Sequence, residues 1–316
     1  MEVVKPFVKW AGGKGSLITQ LTPLYPYDLK NGIINNYVEP FVGGGAVLID
    51  ILQKYDVKSA YAFDINLDLI NCYNIIKANV EELIKELKEK EDNYLKLEEE
   101  NRQKYFYEIR KEYNSYQIST EELRIKRASE FIFLNRTCFN GLYRVNKSGE
   151  FNVPFGKYKN PTICDAKNLR NLSNLFKNVV FQYGDYTTSN KYIDNKTFVY
   201  FDPPYRPLSI TSGFTSYTKE DFNDNNQKEL AQYFKELDCK KAKLMLSNSN
   251  PKNTNENDNF FEEIYRGFNI NEVSAKRMIN SNSKGRGAIS ELVITNYEES
   301  IKCIQEDCIL KMAVSN

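Results

Sequence analysis

The stretch Val38-Glu39-Pro40-Phe41-Val42-Gly43-Gly44-Gly45 decides the fold, because an apolar run that predicts a strand continues into three consecutive glycines. Residues 46–54 then predict a helix. In such a unit the turn wraps around a nucleoside, and the amides at the helix N-terminus face a negative group such as a carboxylate. The stretch is neither a P-loop nor the G-x-G-x-x-G dinucleotide fingerprint. The candidate cofactor-binding residues here are Glu39, Phe41, Gly43 and Gly45.

Other apolar runs, rich in β-branched and aromatic residues, predict the remaining strands. They span residues 36–39, 59–64, 179–185, 197–202, 243–246 and 292–295, and helical stretches separate them. The first four end on an acidic residue. This alternation predicts an α/β fold with a largely parallel sheet, whose ligands bind at the carboxyl ends of the strands.

The alternation is interrupted between residues 80 and 175, which we predict to be an inserted domain. Residues 80–100 and 124–134 have helical spacing, and residues 135–159 are rich in Gly and Asn. Residues 1–79 and 176–316 would then form one discontinuous catalytic domain that binds the cofactor. A later stretch, residues 247–259, is mostly Asn, Ser, Asp and Lys, and we expect it to cap the sheet flexibly.

The charge of the chain is close to balanced, at a formal +1 over 316 residues. A nucleic-acid partner usually goes with a more basic chain. The charges are nevertheless unevenly distributed, because residues 81–122 are rich in Glu and the next segment is basic. Its cations are Arg124, Lys126, Arg127, Arg136, Arg144, Lys147, Lys157, Lys159, Lys167 and Arg170. A local basic face is therefore predicted.

Two residue types exclude several kinds of chemistry. The chain has no His, which excludes Ser-His-Asp and Cys-His nucleophilic sites, H-E-x-x-H zinc sites and the His-x-Glu deaminase signature. Its six Cys include no C-x-x-C pair, and the Met1 end carries no secretory leader. No apolar run is long enough for a transmembrane helix. We expect a soluble cytoplasmic protein with reduced thiols, no metal and no membrane partner.

Two further positions are candidates for ligand binding. Phe7 to Lys14 places a Gly pair between Trp10, which offers a flat face, and Lys14, whose cation can meet a carboxylate; a tight turn with a buried Trp is an equal alternative. Asp64, at the tip of the second predicted strand, lies where nucleotide-binding sheets bond ribose hydroxyls. Its alternative role is the N-cap of the next helix.

The stretch Val199-Tyr200-Phe201-Asp202-Pro203-Pro204-Tyr205 predicts the reaction chemistry. Two prolines after a strand end it and remove donors, which leaves the Pro203 carbonyl as an acceptor beside the Asp202 carboxylate. An adenine amino nitrogen is a poor nucleophile, because its lone pair is delocalised into the ring. Accepting both of its hydrogens lets the nitrogen become more tetrahedral as a methyl group arrives. Asp202, Pro203, Pro204 and Tyr205 are thus the candidate catalytic residues, and Tyr205 can stack on the base.

Five motifs in this order resemble the Dam family of DNA adenine-N6 methyltransferases. They are KWAGGK (9–14), EPFVGGGAV (39–47), FDINLDLIN (63–71), FLNRTCFNGLYRVNKSGEFNVPFGKY (133–158) and DPPY (202–205). The order is also similar to the alpha class of amino-methyltransferases. The resemblance implies a Rossmann-like sheet that binds S-adenosylmethionine, with an inserted helical recognition domain and a hairpin that enters DNA.

The resemblance also implies roles for individual residues. Trp10, Lys14, Asp64 and Asp202 match the cofactor-binding positions of the family, Ile65 adjoins them, and Asp185 with Tyr186 would hold the cofactor adenine. The DNA-binding candidates are Arg136, Phe139, Asn140, Leu142, Arg144 and Lys157. Arg144 can bond guanine O6 and N7, or else form a salt bridge to a phosphate or carboxylate. Phe139 stands where relatives often have Tyr, and Ser247-Asn248-Ser249 where they have Ser-Asn-His.

The expected activity is site-specific methylation of a flipped adenine in duplex DNA, within GATC. The enzyme would serve either a restriction–modification system, with a cognate endonuclease acting on the same site, or a solitary regulatory role. An RNA or protein amino-methyltransferase would use the same chemistry, although protein-glutamine enzymes commonly have Asn in place of Asp202. A non-catalytic cofactor-binding regulator would lack Asp202 or Tyr205. A nucleotide-binding oxidoreductase would need the dinucleotide fingerprint.

Overall fold

The computed structural model of the chain describes residues 3–207, 222–275 and 289–298. These residues form one seven-stranded sheet in the order β3-β2-β1-β4-β5-β7-β6. The strands are β1 Asn36–Glu39, β2 Ser59–Asp64, β3 Val179–Tyr183, β4 Thr197–Phe201, β5 Lys243–Ser249, β6 Asn269–Ala275 and β7 Ile289–Thr295. Strands β1 to β5 pair in parallel, and β7 runs antiparallel to both of its neighbours. The predicted α/β class with a largely parallel sheet is confirmed.

Strand β6 is the one strand of this sheet that the sequence patterns did not predict. It reads Asn-Ile-Asn-Glu-Val-Ser-Ala and lies at the edge of the sheet, paired only with β7. An edge strand needs few buried side chains, so it lacks the continuous apolar run that marked the central strands.

The described helices cover both faces of the sheet. They are α1 Ile18–Leu21, α2 Tyr27–Lys30, α3 Ala46–Lys54, α4 Leu67–Ala78, α5 Val80–Leu95, α6 Glu99–Tyr113, α7 Glu121–Thr137, α8 Ala166–Leu175, α9 Asp224–Cys239 and α10 Phe260–Ile264. Helices α3, α5 and α7 confirm three sequence predictions. Helix α6 was not predicted, because its dense charges hide the few residues that it buries. No helix within the described ranges is long and apolar enough to cross a bilayer.

Two hydrophobic cores lie against the sheet. The larger contains residues of α3 and α4 together with residues of α5 to α8, so the segment 80–175 shares a continuous core with the sheet. Helix α7 packs against both α4 and α5. The smaller core contains residues of α9 and α10. The division into a catalytic and a recognition domain stays a prediction.

The expectation of a flexible cap at residues 247–259 is wrong for residues 247–253 and stays a prediction for the rest of the stretch. Ser247, Asn248 and Ser249 lie within β5 and are buried. The next residues, Pro251–Asn253, form a turn of 3-10 helix. The prediction failed at residues 247–250 because their Ser and Asn side chains are buried and hydrogen-bonded within the chain, whereas the Asn side chains from Asn253 to Asn259 are exposed.

The glycine turn connects β1 to α3 and has no space for side chains. Gly45 has φ +71°, in the left-handed region, and immediately precedes α3. A Cβ at Gly45 would collide with the Tyr73 hydroxyl, which donates a hydrogen bond of 2.9 Å to the Gly43 carbonyl. Cβ atoms at Gly43 or Gly44 would lie 3.0 Å from the Trp10 side chain. Two aromatic residues from outside the turn, Trp10 and Tyr73, therefore pack against it.

We predict that Gly45→Ala destabilises the protein more than Gly32→Ala does. Gly32 has φ +68° and open space around its Cα, so its substitution carries the backbone penalty alone, about 1–2 kcal/mol. Gly45→Ala adds overpacking against Tyr73, about 1–3 kcal/mol. Urea denaturation of both variants measures the difference, and equal losses would show that Tyr73 does not constrain the turn.

Candidate active site

The acidic residues predicted at the strand ends meet at one edge of the sheet. Strand β1 lies between β2 and β4 and pairs in parallel with both. Glu39 ends β1, Asp64 ends β2 and Asp202 directly follows β4. Because parallel strands direct their carboxyl ends to the same edge, the fold collects these three carboxylates in one cleft region.

Asp202 is held by a buried lysine. Lys14 is 4% exposed, and its Nζ lies 2.8 Å from Asp202 Oδ1 and donates a hydrogen bond of 2.6 Å to the Gly12 carbonyl. Burial raises the pKa of Asp202 to about 6, while the Lys14 charge lowers it and Glu291 raises it further. Asp202 is thus ionised at neutral pH and fixed in orientation.

Glu39 is the most deeply buried of the three carboxyls. The Tyr37 hydroxyl donates to Glu39 Oε2 at 2.6 Å. Burial raises the pKa of Glu39 well above its usual range, and the nearby Asp202 charge raises it as well. Burial thus favours the protonated form of Glu39, and the Tyr37 hydrogen bond opposes this effect.

Asp64 connects the second strand to the glycine turn. Its Oδ2 accepts a hydrogen bond of 3.0 Å from the Gly43 amide, and its Oδ1 accepts one of 2.8 Å from the Asn66 amide. Burial raises its pKa to about 6, and these amides oppose the rise. The N-cap of α4 is Asn66, whose side chain accepts from Leu69 N, so Asp64 does not have that alternative role.

The other predicted cofactor positions border these carboxylates. Ile65 is 49% exposed beside Asp64. The Phe41 ring lies 5.7 Å from that of Tyr186. Asp185 is exposed and accepts hydrogen bonds from the amides of residues 187 and 188, which starts a turn of 3-10 helix. Trp10 packs on the glycine turn and stacks on Tyr143 at 5.6 Å between ring centroids.

The prolines after β4 present unequal carbonyl groups. Gln227 Nε2 donates a hydrogen bond of 3.0 Å to the Pro204 carbonyl. Among the residues that the structure describes, no hydrogen bond to the Pro203 carbonyl is found, and its role as an acceptor stays a prediction. Tyr205 donates to Glu291 at 2.5 Å, and Lys14 Nζ lies 4.5 Å from the center of its ring. The role of Tyr205 in base stacking stays a prediction.

The predicted DNA-binding residues divide into two groups. Phe139 is 50% exposed, Asn140 has φ +55°, and exposed Arg144 donates to Asn152 at 2.7 Å. Arg144 enters a hairpin in which Val145 bridges Phe151 in antiparallel fashion. The remaining candidates are placed differently: Arg136 donates to the Phe7 carbonyl, Leu142 is partly buried, and Lys157 is exposed.

The predicted basic face is smaller than the sequence suggested. Lys126, Arg127 and Arg170 form ion pairs with Glu112, Asp68 and Glu81, respectively. The exposed cations that flank the hairpin are Arg144, Lys147, Lys157 and Lys159. These cations pair with acidic residues far away along the chain, so a count of charges along the sequence overestimated the basic face.

Three residues of the site were missed or left open by sequence reasoning. Glu291 on β7 bonds Tyr205, and its only signal is a lone acid within an apolar run. Gln227 on α9 is one of several polar residues in an amphipathic helix and gave no signal. Asn248 lies in a motif whose contacts the sequence left uncertain. The described residues hold no cluster suited to a metal ion, and metal-free chemistry stays a prediction.

Comparison with known proteins finds one matching family and several similar full-length proteins. The sequence profile of the family described as D12 class N6 adenine-specific DNA methyltransferase matches residues 10–279. The chain is 52% identical to the type II methyltransferase M.MjaIII of Methanocaldococcus jannaschii, over 93% of this chain and 99% of that protein. It is 38% identical to the type II methyltransferase M1.LlaDCHI of Lactococcus lactis subsp. cremoris, over 93% and 96%. It is 35% identical to the DNA adenine methylase of Haemophilus influenzae, over 92% of each.

We predict that Lys14→Met moves the pKa of Asp202 and leaves that of Asp64 in place. Removing the ammonium group takes away the charge that lowers the pKa of Asp202, so the value climbs above about 6. Asp64 has no such contribution from Lys14 and should stay near 6. Carboxyl carbon NMR titration follows both groups in one sample. An unchanged Asp202, or equal movement of both groups, would contradict the assignment.

Proposed function

The chain belongs to the D12 class of N6 adenine-specific DNA methyltransferases, and we propose that it methylates a flipped adenine within GATC in duplex DNA, with S-adenosylmethionine as donor. The observation that carries this proposal is the ion-paired Asp202 carboxylate next to the Pro203 carbonyl, which accepts no hydrogen bond from the described part of the chain. The RNA and protein substrates that the motifs alone left open are not those of this family.

The two acceptors account for activation of the amino group. Asp202, with a pKa of about 6, is an ionised acceptor at neutral pH. Its Oδ1 faces Lys14, so its Oδ2 can accept one amino hydrogen, and the Pro203 carbonyl can accept the other. As both hydrogens are held, the nitrogen lone pair is released from the ring toward the incoming methyl group. The acceptors are set before substrate arrives, which lowers the reorganisation needed in the transition state.

The residues around the glycine turn suit S-adenosylmethionine. The three glycines let Trp10 and Tyr73 pack directly against the turn, and the first amides of α3 can meet a carboxylate. Each Asp64 oxygen accepts one amide and has capacity for a ribose hydroxyl. Exposed Ile65 offers an apolar surface for a base. When bound, S-adenosylmethionine supplies an electrophilic methyl group on its sulfonium.

DNA would be read by the hairpin and the loop before it. We assign Phe139 as a wedge that enters the base stack, because half of its large apolar side chain is exposed. Arg144 is accessible for a guanine edge after exchanging its contact with Asn152. Lys157 and its exposed neighbours would contact phosphates. Adenine flipping would require about a few kcal/mol of unstacking and unpairing energy.

The names of the relatives support proposals about the biological role of the protein. The names of two relatives as type II methyltransferases support a role in protecting DNA against a cognate endonuclease. The relative named DNA adenine methylase supports adenine in DNA as the substrate, and the GATC target rests on the resemblance of the motifs. We further propose a cytoplasmic location, where Cys72, Cys138, Cys164 and Cys239 remain the free thiols that the structure shows.

We predict that Asp202→Ala lowers the methyl-transfer rate by about 10²–10³-fold or more, because one of the two acceptors is lost. Radiolabelled transfer to unmethylated DNA measures the rate, and circular dichroism verifies folding. Asp165→Ala is the matched control, because Asp165 caps α8 and pairs with Lys5. Retained turnover in Asp202→Ala would refute the assigned role.

We predict that the purified protein, given S-adenosylmethionine and unmethylated genomic DNA, modifies adenines only at GATC. Sequencing that detects N6-methyladenine maps the sites directly. Another short motif would keep the reaction and reject the GATC assignment, and Arg144→Ala would then identify which base that side chain reads. Complete absence of modified adenine would reject the proposed activity.

A further inference from the structure

Two buried amide side chains connect the loop after β4 to the rest of the sheet. Gln227 on α9 and Asn248 on β5 are both 0% exposed. Gln227 Nε2 donates to the Pro204 carbonyl at 3.0 Å, and Gln227 Oε1 accepts from Asn248 Nδ2 at 3.0 Å. Asn248 Oδ1 accepts from the backbone amides of Arg206 and Ser249. We call this path from Ser249 to Pro204 the amide relay.

The direction of the amide relay is determined by its backbone end. The Arg206 and Ser249 amides can only donate, so Asn248 must turn its oxygen toward them and its nitrogen toward Gln227. Gln227 must then accept with its oxygen, which leaves its nitrogen facing the Pro204 carbonyl. Each amide group is satisfied in one orientation only, and a reversed Gln227 would place two oxygens together.

This relay restricts the carbonyl of the neighbouring proline. The rings of Pro203 and Pro204 lock φ at about −65°, so few torsions remain between Asp202 and Tyr205. Strand β4 holds one end of this segment. Gln227 holds the Pro204 carbonyl, and Asn248 holds the Arg206 amide two residues later. The Pro203 carbonyl lies between the fixed points.

The far side of the loop is anchored as well. Ser249 Oγ donates to the Arg206 carbonyl at 2.8 Å. The Arg206 guanidinium bonds Asp224 and Asp258, each at 2.7 Å, and lies 4.3 Å from the center of the Phe260 ring. Arg206 is therefore held through both its backbone and its side chain, and the amide relay sets the direction of the Pro204 carbonyl.

We propose that Gln227 and Asn248 are positioning residues that aim the Pro203 carbonyl at the adenine amino group. Gln227 bonds the Pro204 carbonyl, whereas the Pro203 carbonyl accepts no hydrogen bond from the described residues. The relay deepens the proposed function and rests on it, since it specifies which backbone atom receives the second amino hydrogen. Its effect falls on methyl transfer itself, and neither side chain takes part in binding S-adenosylmethionine or DNA.

The test compares Gln227→Met with Asn168→Leu in the full-length enzyme. Met approximates the volume of Gln without its donor and acceptor, whereas Asn168→Leu removes a buried amide that bonds the Lys5 backbone. Single-turnover transfer is measured at saturating S-adenosylmethionine and GATC duplex, normalised to active sites by cofactor binding. We expect Gln227→Met to lose about 10–100-fold in rate with both dissociation constants unchanged, and Asn168→Leu to retain the wild-type rate.

Asn248→Asp provides a second test that leaves Gln227 chemically intact. Its carboxylate still accepts from Arg206 and Ser249, but its other oxygen repels Gln227 Oε1. The Gln227 side-chain amide should then reverse and place its own Oε1 against the Pro204 carbonyl. We expect a similar loss of methyl-transfer rate. Both substitutions break the same hydrogen-bonded connection between Asn248 and the Pro204 carbonyl. The methyl-transfer rate of the double variant should therefore be within about twofold of that of the slower single variant.

Specific outcomes would overturn the proposal. These are an unchanged rate in folded Gln227→Met or Asn248→Asp, weaker binding with a full rate at saturation, additive losses in the double variant, or an equal loss in Asn168→Leu. Inactive wild-type enzyme on every duplex tested would instead reject the proposed function, and the relay would fall with it. Thermal melting of each variant separates lost folding from lost positioning.

Discussion

The parallel pairing of β1 with both β2 and β4 is the constraint on which the site depends. It places the ends of three strands, which are distant along the chain, at one edge of the sheet. Glu39, Asp64 and Asp202 converge there for that reason. The order of strands also puts β7 next to β5, so Glu291 can reach Tyr205 from the antiparallel side. The order of the strands in the sheet, more than any single motif, therefore brings the residues of the site together.

Because the three strand ends converge, their acidic side chains are buried. The pKa values of Asp64 and Asp202 rise to about 6, and burial raises that of Glu39 well above its usual range. The fold stabilises each carboxylate with a different partner: backbone amides for Asp64, Lys14 for Asp202 and a tyrosine hydroxyl for Glu39. These partners leave capacity for ligand hydrogen bonds, which a fully satisfied carboxylate would lack.

Aromatic packing joins the glycine turn to the start of the hairpin. Trp10 lies between the glycine turn and Tyr143, and Tyr143 is adjacent to Arg144. Arg127 and Tyr113 both bond Asp68 at the start of α4, which ties helices α6 and α7 to the strand that ends at Asp64. Segment 80–175 is thus bound to the sheet by buried contacts on several of its elements.

Local patterns in the sequence determined the fold class, three acids at strand ends, the glycine turn and the Asp202-Pro203-Pro204-Tyr205 loop, because periodicity and turn chemistry act over a few neighbouring residues. Tertiary structure alone decided strand β6, the pairing of Lys126, Arg127 and Arg170 with distant acids, and the partners of Tyr205. It also decided the amide relay, since Gln227 and Asn248 look like ordinary polar residues until the sheet buries them. Burial changes what a polar side chain must do, and burial depends on residues far away along the chain.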